Sequence, residues 1–198
     1  MKESLRQLMH LLFGLLIAGF IAVFPRDTVI PVLALSLFSG FLLSDAIARR
    51  FRVPMISPMI DMMERDVSIP GKGALYFALS ALFCSIFFDF AAVVIAIVVL
   101  AVLDSATTYI GLRFGRHTIT NGKTIQGTGG GILITWGALL PFLPPGTGLL
   151  VAAVGGIVEL VSPIDDNLVL PVIICLLLAV IVPELTLPVW IPSLEIHL

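Results

Sequence analysis

Residues 90–131 read FAAVVIAIVVLAVLDSATTYIGLRFGRHTITNGKTIQGTGGG, and how this stretch is taken decides the fold. Segment 90–103 is apolar without interruption and is followed at once by Asp104. A helix that is hydrophobic all round is either a buried core helix or a membrane span. Over residues 104–131 the character reverses. An acid, several hydroxyls, Arg113, Arg116, His117, Lys123 and a glycine cluster follow one another. Nowhere else does the chain set so much polar chemistry against so much hydrocarbon, and the other apolar segments are expected to wall it in.

The composition carries the same reading across the chain. Hydrophobic residues fill 59% of the 198 positions and charged residues 12%, whereas a soluble domain carries about 25% charged residues. Mean hydropathy is +1.13. Apolar segments near 8–24, 29–47, 73–88, 90–111, 129–143, 148–162 and 168–187 predict an all-α, polytopic integral membrane protein of about seven transmembrane helices. Segments 73–88 and 129–143 are short, so six is the other possible count. No linker divides the chain, and residues 1–198 are read as one membrane-embedded domain.

With the N-terminus cytoplasmic, segments 1–7, 48–72, 112–126 and 163–167 lie on one side. Ten of the eleven Lys and Arg residues fall there and Arg26 falls opposite, the asymmetry of the positive-inside rule. The expected setting is a multi-pass protein of the cell membrane with its chemistry on the cytoplasmic face. A net charge of −2 offers no basic field for nucleic acid. Cys84 and Cys175 stand alone in apolar runs, in neither disulfide nor zinc spacing.

An acid near the end of a span is costly unless it is paired, hydrated or liganded. On a helix, Asp104, Thr108, Gly111 and Gly115 share one face, which suits either chemistry or close packing through small residues. Asn121-Gly122-Lys123-Thr124 leads into the glycines of 127–131 at the start of a span. Backbone amides at a helix start beside a lysine form a phosphate cradle, and the same glycines also suit tight helix packing. A Walker A loop is excluded, because His117 stands where that motif needs its first glycine. Glu159 with Asp165, Asp166 and Asn167 offers an oxygen-rich set suited to magnesium. Asp165 and Asp166 equally suit a solvated turn that caps the following helix. Arg6, His10 and Gly14 lie one turn apart on a common face.

Taken in order, these residues resemble the CTP-dependent polyprenol and diacylglycerol kinase family, which includes dolichol kinase, phytol kinase and the yeast-type diacylglycerol kinase. The resemblance spans nearly the whole chain. Arg6-x3-His10-x3-Gly14 resembles that family's Arg-Lys-x2-His-x3-Gly, with Gln7 replacing the lysine. Glu64-Arg65 ahead of residues 71–76 resembles its acidic-basic run. Asp104-Ser105-Ala106 to Gly111-x2-Phe114-Gly115 matches its Asp-Ser/Ala-Ala…Gly-x2-Phe-Gly block. Lys123-Thr124-Ile125-Gln126-Gly127-Thr128 resembles Lys-Thr-x-Glu-Gly-Ser, and Glu159 with Asp165-Asp166-Asn167-Leu168…Pro171 resembles its closing motif.

The resemblance implies phosphoryl transfer from CTP to the hydroxyl of a lipid alcohol, with CDP as the other product. In those terms Asp104 and Asp166 would hold magnesium, with Glu159 as a further ligand or orienting group. Lys123, Arg116, Thr124 and Thr128 would face the triphosphate, helped by the backbone from Gly127 to Gly129. Asp165 or His10 would take the lipid hydroxyl proton. Gln126 departs from the usual glutamate, and an amide there can still orient a hydroxyl or a water. The compact length favours an isoprenoid alcohol such as a polyprenol or dolichol, with diacylglycerol as the alternative within the family. A CDP-lipid synthase is the nearest rival, distinguished by its products. A small transporter component is the rival of another class, for which midplane acids are expected instead of polar residues gathered at one face.

Overall fold

A computed structural model of the protein describes residues 2–51, 54, 69–119 and 122–187. Glu64, Arg65 and Asn121 lie outside the described residues. Among those described, the structure is all-helical: α1 (Lys2–Val23), α2 (Arg26–Ala48), α3 (Lys72–Phe87), α4 (Phe90–Phe114), α5 (Ile125–Leu139), α6 (Pro145–Val161) and α7 (Asp166–Ile181). Three helices, α1, α2 and α4, are long and apolar enough to cross a membrane, while α3, α6 and α7 are shorter and apolar.

The helix boundaries depart from the hydropathy segments where local chemistry intervenes. α1 starts well before residue 8, because Glu3 and Arg6 form an ion pair one turn apart in its first turns. α5 starts at Ile125, four residues earlier than hydropathy places it, because the Thr124 side chain accepts the Gly127 N–H at 3.0 Å and caps the helix. It ends at Leu139, just before Pro141, whose missing N–H cannot extend it. α6 opens on Pro145, at a first turn where that missing N–H costs nothing.

α4 is the axis of the bundle. Its residues from Ala91 to Ala101 are buried on every side, which explains why the run shows no polar face. α1, α5 and α7 pack along it, α6 and α3 touch it more lightly, and α2 is carried on α3. The outer surface is apolar: Leu12 and Leu16 of α1, Leu35, Phe38 and Leu42 of α2, and Val180 of α7 are all exposed. So much exposed hydrocarbon calls for an apolar surrounding or a partner.

Small residues set the closest helix approaches. A Cβ on Gly131 would lie 2.2 Å from the Thr107 methyl carbon, and one on Gly127 would lie 2.6 Å from the Thr107 carbonyl oxygen. α4 and α5 can cross at this distance only with glycine at both positions. On the other side of α4, a Cβ on Gly14 would stand 2.4 Å from Ala101 Cβ. Pro171 lies inside α7 and cannot donate to the Asn167 carbonyl one turn back. Ser80 Oγ of α3 donates to that freed carbonyl at 2.7 Å, so a break in one helix becomes the joint that docks another.

Candidate functional site

The chemistry gathers at one end of the bundle, where α1, α3, α5 and α7 begin and α4 and α6 end. A cavity of about 840 Å³ opens there, lined by Arg6 and His10 of α1, Lys72 of α3, Asp104 and Thr107 of α4, Lys123, Glu159 of α6, and Asp165 and Asp166 at the start of α7.

Local structure delivers each group. The segment after α4 turns back on itself: Ile119 N–H donates to the Lys123 carbonyl at 2.8 Å and Ile125 N–H to the His117 carbonyl at 3.0 Å. Gly122, at φ 75°, supplies the left-handed residue of that turn. Lys123 is thereby swung under the end of α4. Asp165 caps α7, accepting the Asn167 backbone N–H at 3.2 Å and its side-chain amide at 3.0 Å, and so fixes Asp166 as the first helical residue. Lys72 Nζ stands 3.8 Å from Asp165.

At the centre, Lys123 Nζ donates to Glu159 Oε1 at 2.7 Å and to Asp166 Oδ2 at 3.1 Å. Thr107 Oγ1 donates to the same Glu159 oxygen at 2.6 Å. Glu159 is only 4% exposed. Burial by itself would lower the Lys123 pKa, but the carboxylates of Glu159 and Asp166 outweigh it and hold the ammonium above the usual lysine range.

The carboxylates of Asp104, Glu159 and Asp166 each bring one oxygen within 4.8 Å of the others. Such a set can hold a hard divalent cation that keeps several waters. Glu159 Oε2, His10 Nε2, Gln7 Oε1 and Asn167 Oδ1 are buried without a hydrogen-bond partner, and all four belong to residues lining the cavity. Each orphaned polar atom costs about 1–3 kcal/mol. Four of them on residues that line one cavity are a concentration that suits a site receiving polar ligands. His10 Nε2 comes within 3.7 Å of Asp104 Oδ2, and its ring stands edge-on to Phe77.

The expected residues sort into two groups. Asp104, His10, Lys123, Thr124, Thr128, Glu159, Asp165, Asp166, Asn167 and Gly111 all line the cavity. Arg116, Gln126 and Gly115 lie instead on an exposed recess with Arg113 and Phe114. There the Gln126 carbonyl accepts the backbone N–H groups of Arg116 and His117 at 3.1 and 3.3 Å, and its amide meets His117 Nδ1 at 3.2 Å. Gln126 therefore organises the loop after α4 and does not touch the carboxylates. The Gly127 N–H is taken by the Thr124 cap and the Thr128 N–H by the Thr124 carbonyl. The glycines at 127 and 131 serve packing, and Gly129 faces open space.

Thr107, Gln7 and Lys72 also reach the cavity. Helical spacing from Asp104 pointed to Thr108, which does line the cavity, and Thr107 beside it reaches the cavity as well and orients Glu159. Lys72 could have been found from its place at the end of a polar segment beside a new span, the position from which a long side chain folds back over a helix start.

No known protein-family profile matches the chain, and no solved structure matches it. An uncharacterized protein of Methanocaldococcus jannaschii, MJ1137, is 36% identical over 183 residues, covering 90% of this chain and 93% of the archaeal one. At that identity and coverage, this chain belongs to the same family as MJ1137.

Proposed function

We propose that the protein is a seven-span membrane enzyme with its N-terminus and polar end on the cytoplasmic side, and that it transfers the γ-phosphoryl group of CTP to the hydroxyl of a membrane lipid alcohol of the polyprenol or dolichol type. The observation that carries the reading is the convergence of Asp104, Glu159 and Asp166 with Lys123 and His10 in one cavity whose outer helices are sheathed in hydrocarbon. The ordered motif resemblance supplies the choice of CTP and of an alcohol acceptor. The distribution of Lys and Arg supplies the orientation.

Phosphoryl transfer depends on positioning and charge neutralisation more than on covalent chemistry by the protein. Asp104, Glu159 and Asp166 would hold magnesium, which when bound neutralises charge on the donor phosphates. The orphaned Glu159 Oε2 and the carboxylate spacing fit such an ion. Lys123, held between Glu159 Oε1 and Asp166 Oδ2, is the cation placed to meet the transferring phosphoryl group once the ion takes over those carboxylates. His10, poised beside Asp104 with its Nε2 unpaired, is placed to accept the proton of an incoming hydroxyl. Thr107 fixes Glu159 during these changes, since its hydroxyl follows the carboxylate and not the lysine.

The test is transfer of label from γ-labelled CTP, beside γ-labelled ATP, to polyprenol, geranylgeraniol and diacylglycerol in detergent. Labelled lipid phosphate from CTP, lost in Asp104→Asn, is the expected result. α-Labelled CTP yielding a CDP-lipid would replace this reading with the synthase.

A further inference from the structure

The cavity is not uniform. Towards α5 and α7 it is charged, with Lys123, Asp165 and Asp166 on its wall. On α1 and α3 the wall is charged at the helix starts, by Arg6 and Lys72, and turns apolar farther along, at Phe13 and Ile17 on one helix and Ala74, Phe77 and Ala78 on the other. These two helices face each other across the cavity yet scarcely pack together, since α1 lies along α4 and α3 leans on α7 and α2. Among the described residues none of α2 lines the cavity, although α2 packs on α3 and touches α1. The floor is the Gly14–Ala101 crossing, beneath which Ala18 and Ile21 of α1 are buried. His10 stands at the seam, with Phe77 on its apolar side and Asp104 on its polar side.

Resting on the reading of this cavity as a lipid-alcohol site, we propose that the α1–α3 gap is the lateral channel that admits the lipid tail, with Phe13 and Ala78 on its opposing walls. The hydroxyl then stops at His10 and Asp104, while the charged half of the cavity is left to the polyphosphate. An apolar tail in this gap stays among hydrocarbon throughout, which a route through the basic loop end would not allow. Ala74 and Ala78 keep the α3 wall low where the chain must pass. Gly14 lets α1 sit close on α4, so that the gap opens towards α3 and not beneath α1.

The experiment uses the full-length protein in phosphatidylcholine liposomes with a geranylgeraniol analogue bearing a diazirine at the tail end. After photolysis without nucleotide, the labelled peptides are mapped. Label concentrated in residues 9–17 and 74–78, suppressed by excess geranylgeraniol and reduced about tenfold in Ala78→Trp, is the expected outcome. Label spread over the outer faces of α1 and α2 at Leu16, Leu35, Phe38 and Leu42, and unaffected by competitor, overturns the channel. Mapping of the wild-type protein decides the point even if Ala78→Trp folds poorly. A parallel aliquot given CTP separates the two ideas. Competed label in the gap without phosphoryl transfer upholds the channel and removes the kinase reading. Transfer without label in the gap removes the channel alone.

Discussion

Lys123→Met is the most informative single change, because the lysine sits where a divalent cation would be bound. Its loss leaves Glu159, 4% exposed, with one oxygen held by Thr107 and the other with no partner. Breaking a buried ion pair from one side costs about 3–5 kcal/mol. The Lys123 and Asp166 side chains are 26% and 23% exposed, so solvent screening places the cost at the lower end, about 3 kcal/mol. For a chain of this length that corresponds to a fall of roughly 6–12 °C in melting temperature, at about 2–4 °C per kcal/mol. The variant should behave oppositely towards metal. With the ammonium gone, Glu159 and Asp166 are open to Mg2+, and an ion at a hundred times its Kd returns about 2.7 kcal/mol. The assay is thermal melting of the detergent-purified proteins in EDTA and in Mg2+. Lys123→Met should melt well below wild type in EDTA and recover most of the difference in Mg2+, while the proposed phosphoryl transfer stays lost. Coincident melting curves in EDTA and Mg2+ for both proteins would refute a divalent site among these carboxylates.

The crossing of α4 and α5 gives a paired test. Gly131→Ala places a Cβ against Thr107 and should cost about 1–3 kcal/mol as overpacking, whereas Gly129→Ala, which meets nothing within 4 Å, should leave the melting temperature unchanged or slightly raised. The pH dependence follows from the raised Lys123 pKa. A lysine whose folded pKa exceeds its unfolded value of about 10.4 contributes fully below that value and loses its contribution as pH rises through the folded pKa. The melting difference between wild type and Lys123→Met in EDTA should therefore narrow as the pH is raised above about 10, as read by a melting series at alkaline pH.

Much of the architecture was legible because apolar runs and breakers are local signals. Pro145, the Phe24-Pro25 break and the acid-rich turn at 165–166 mark helix ends that the structure keeps to within a few residues. α5 was displaced because its start is decided by one threonine side chain, which hydropathy averages away. The candidate site was legible in its acids, since an aspartate after fourteen apolar residues and a glutamate inside an apolar helix each demand a partner. Which partner each receives is a tertiary matter. Arg116 and Lys123 lie in the same basic loop, yet the hairpin turn at Gly122 carries only the lysine into the cavity. The glycines before residue 132 suited a phosphate cradle or a tight crossing equally well, and only the position of Thr107 opposite them decides for packing.

The unequal helix lengths bear on how such a site could work at a membrane. α3, α5, α6 and α7 have 16, 15, 17 and 16 residues, so each is about 23–26 Å long, less than the roughly 30 Å of hydrocarbon. α4 has 25 residues and continues from Asp104 to Phe114, about 15 Å beyond the acid. Glu159 and Asp166, by contrast, stand in the last turn and at the first residue of short helices. The carboxylates therefore meet at a level where the short helices stop and the long axis runs on, which makes the site a recess and not a surface patch. In the proposed placement the recess lies beneath the headgroup level, roofed by the loop that carries Lys123. A lipid hydroxyl can then reach His10 and Asp104 while its tail remains in hydrocarbon, and the water-soluble nucleotide must make the descent. That division of labour fits a cavity whose charged groups, Arg6 and Lys72 included, stand at the loop end, while Phe13, Ile17, Ala74 and Ala78 make its wall apolar farther along α1 and α3.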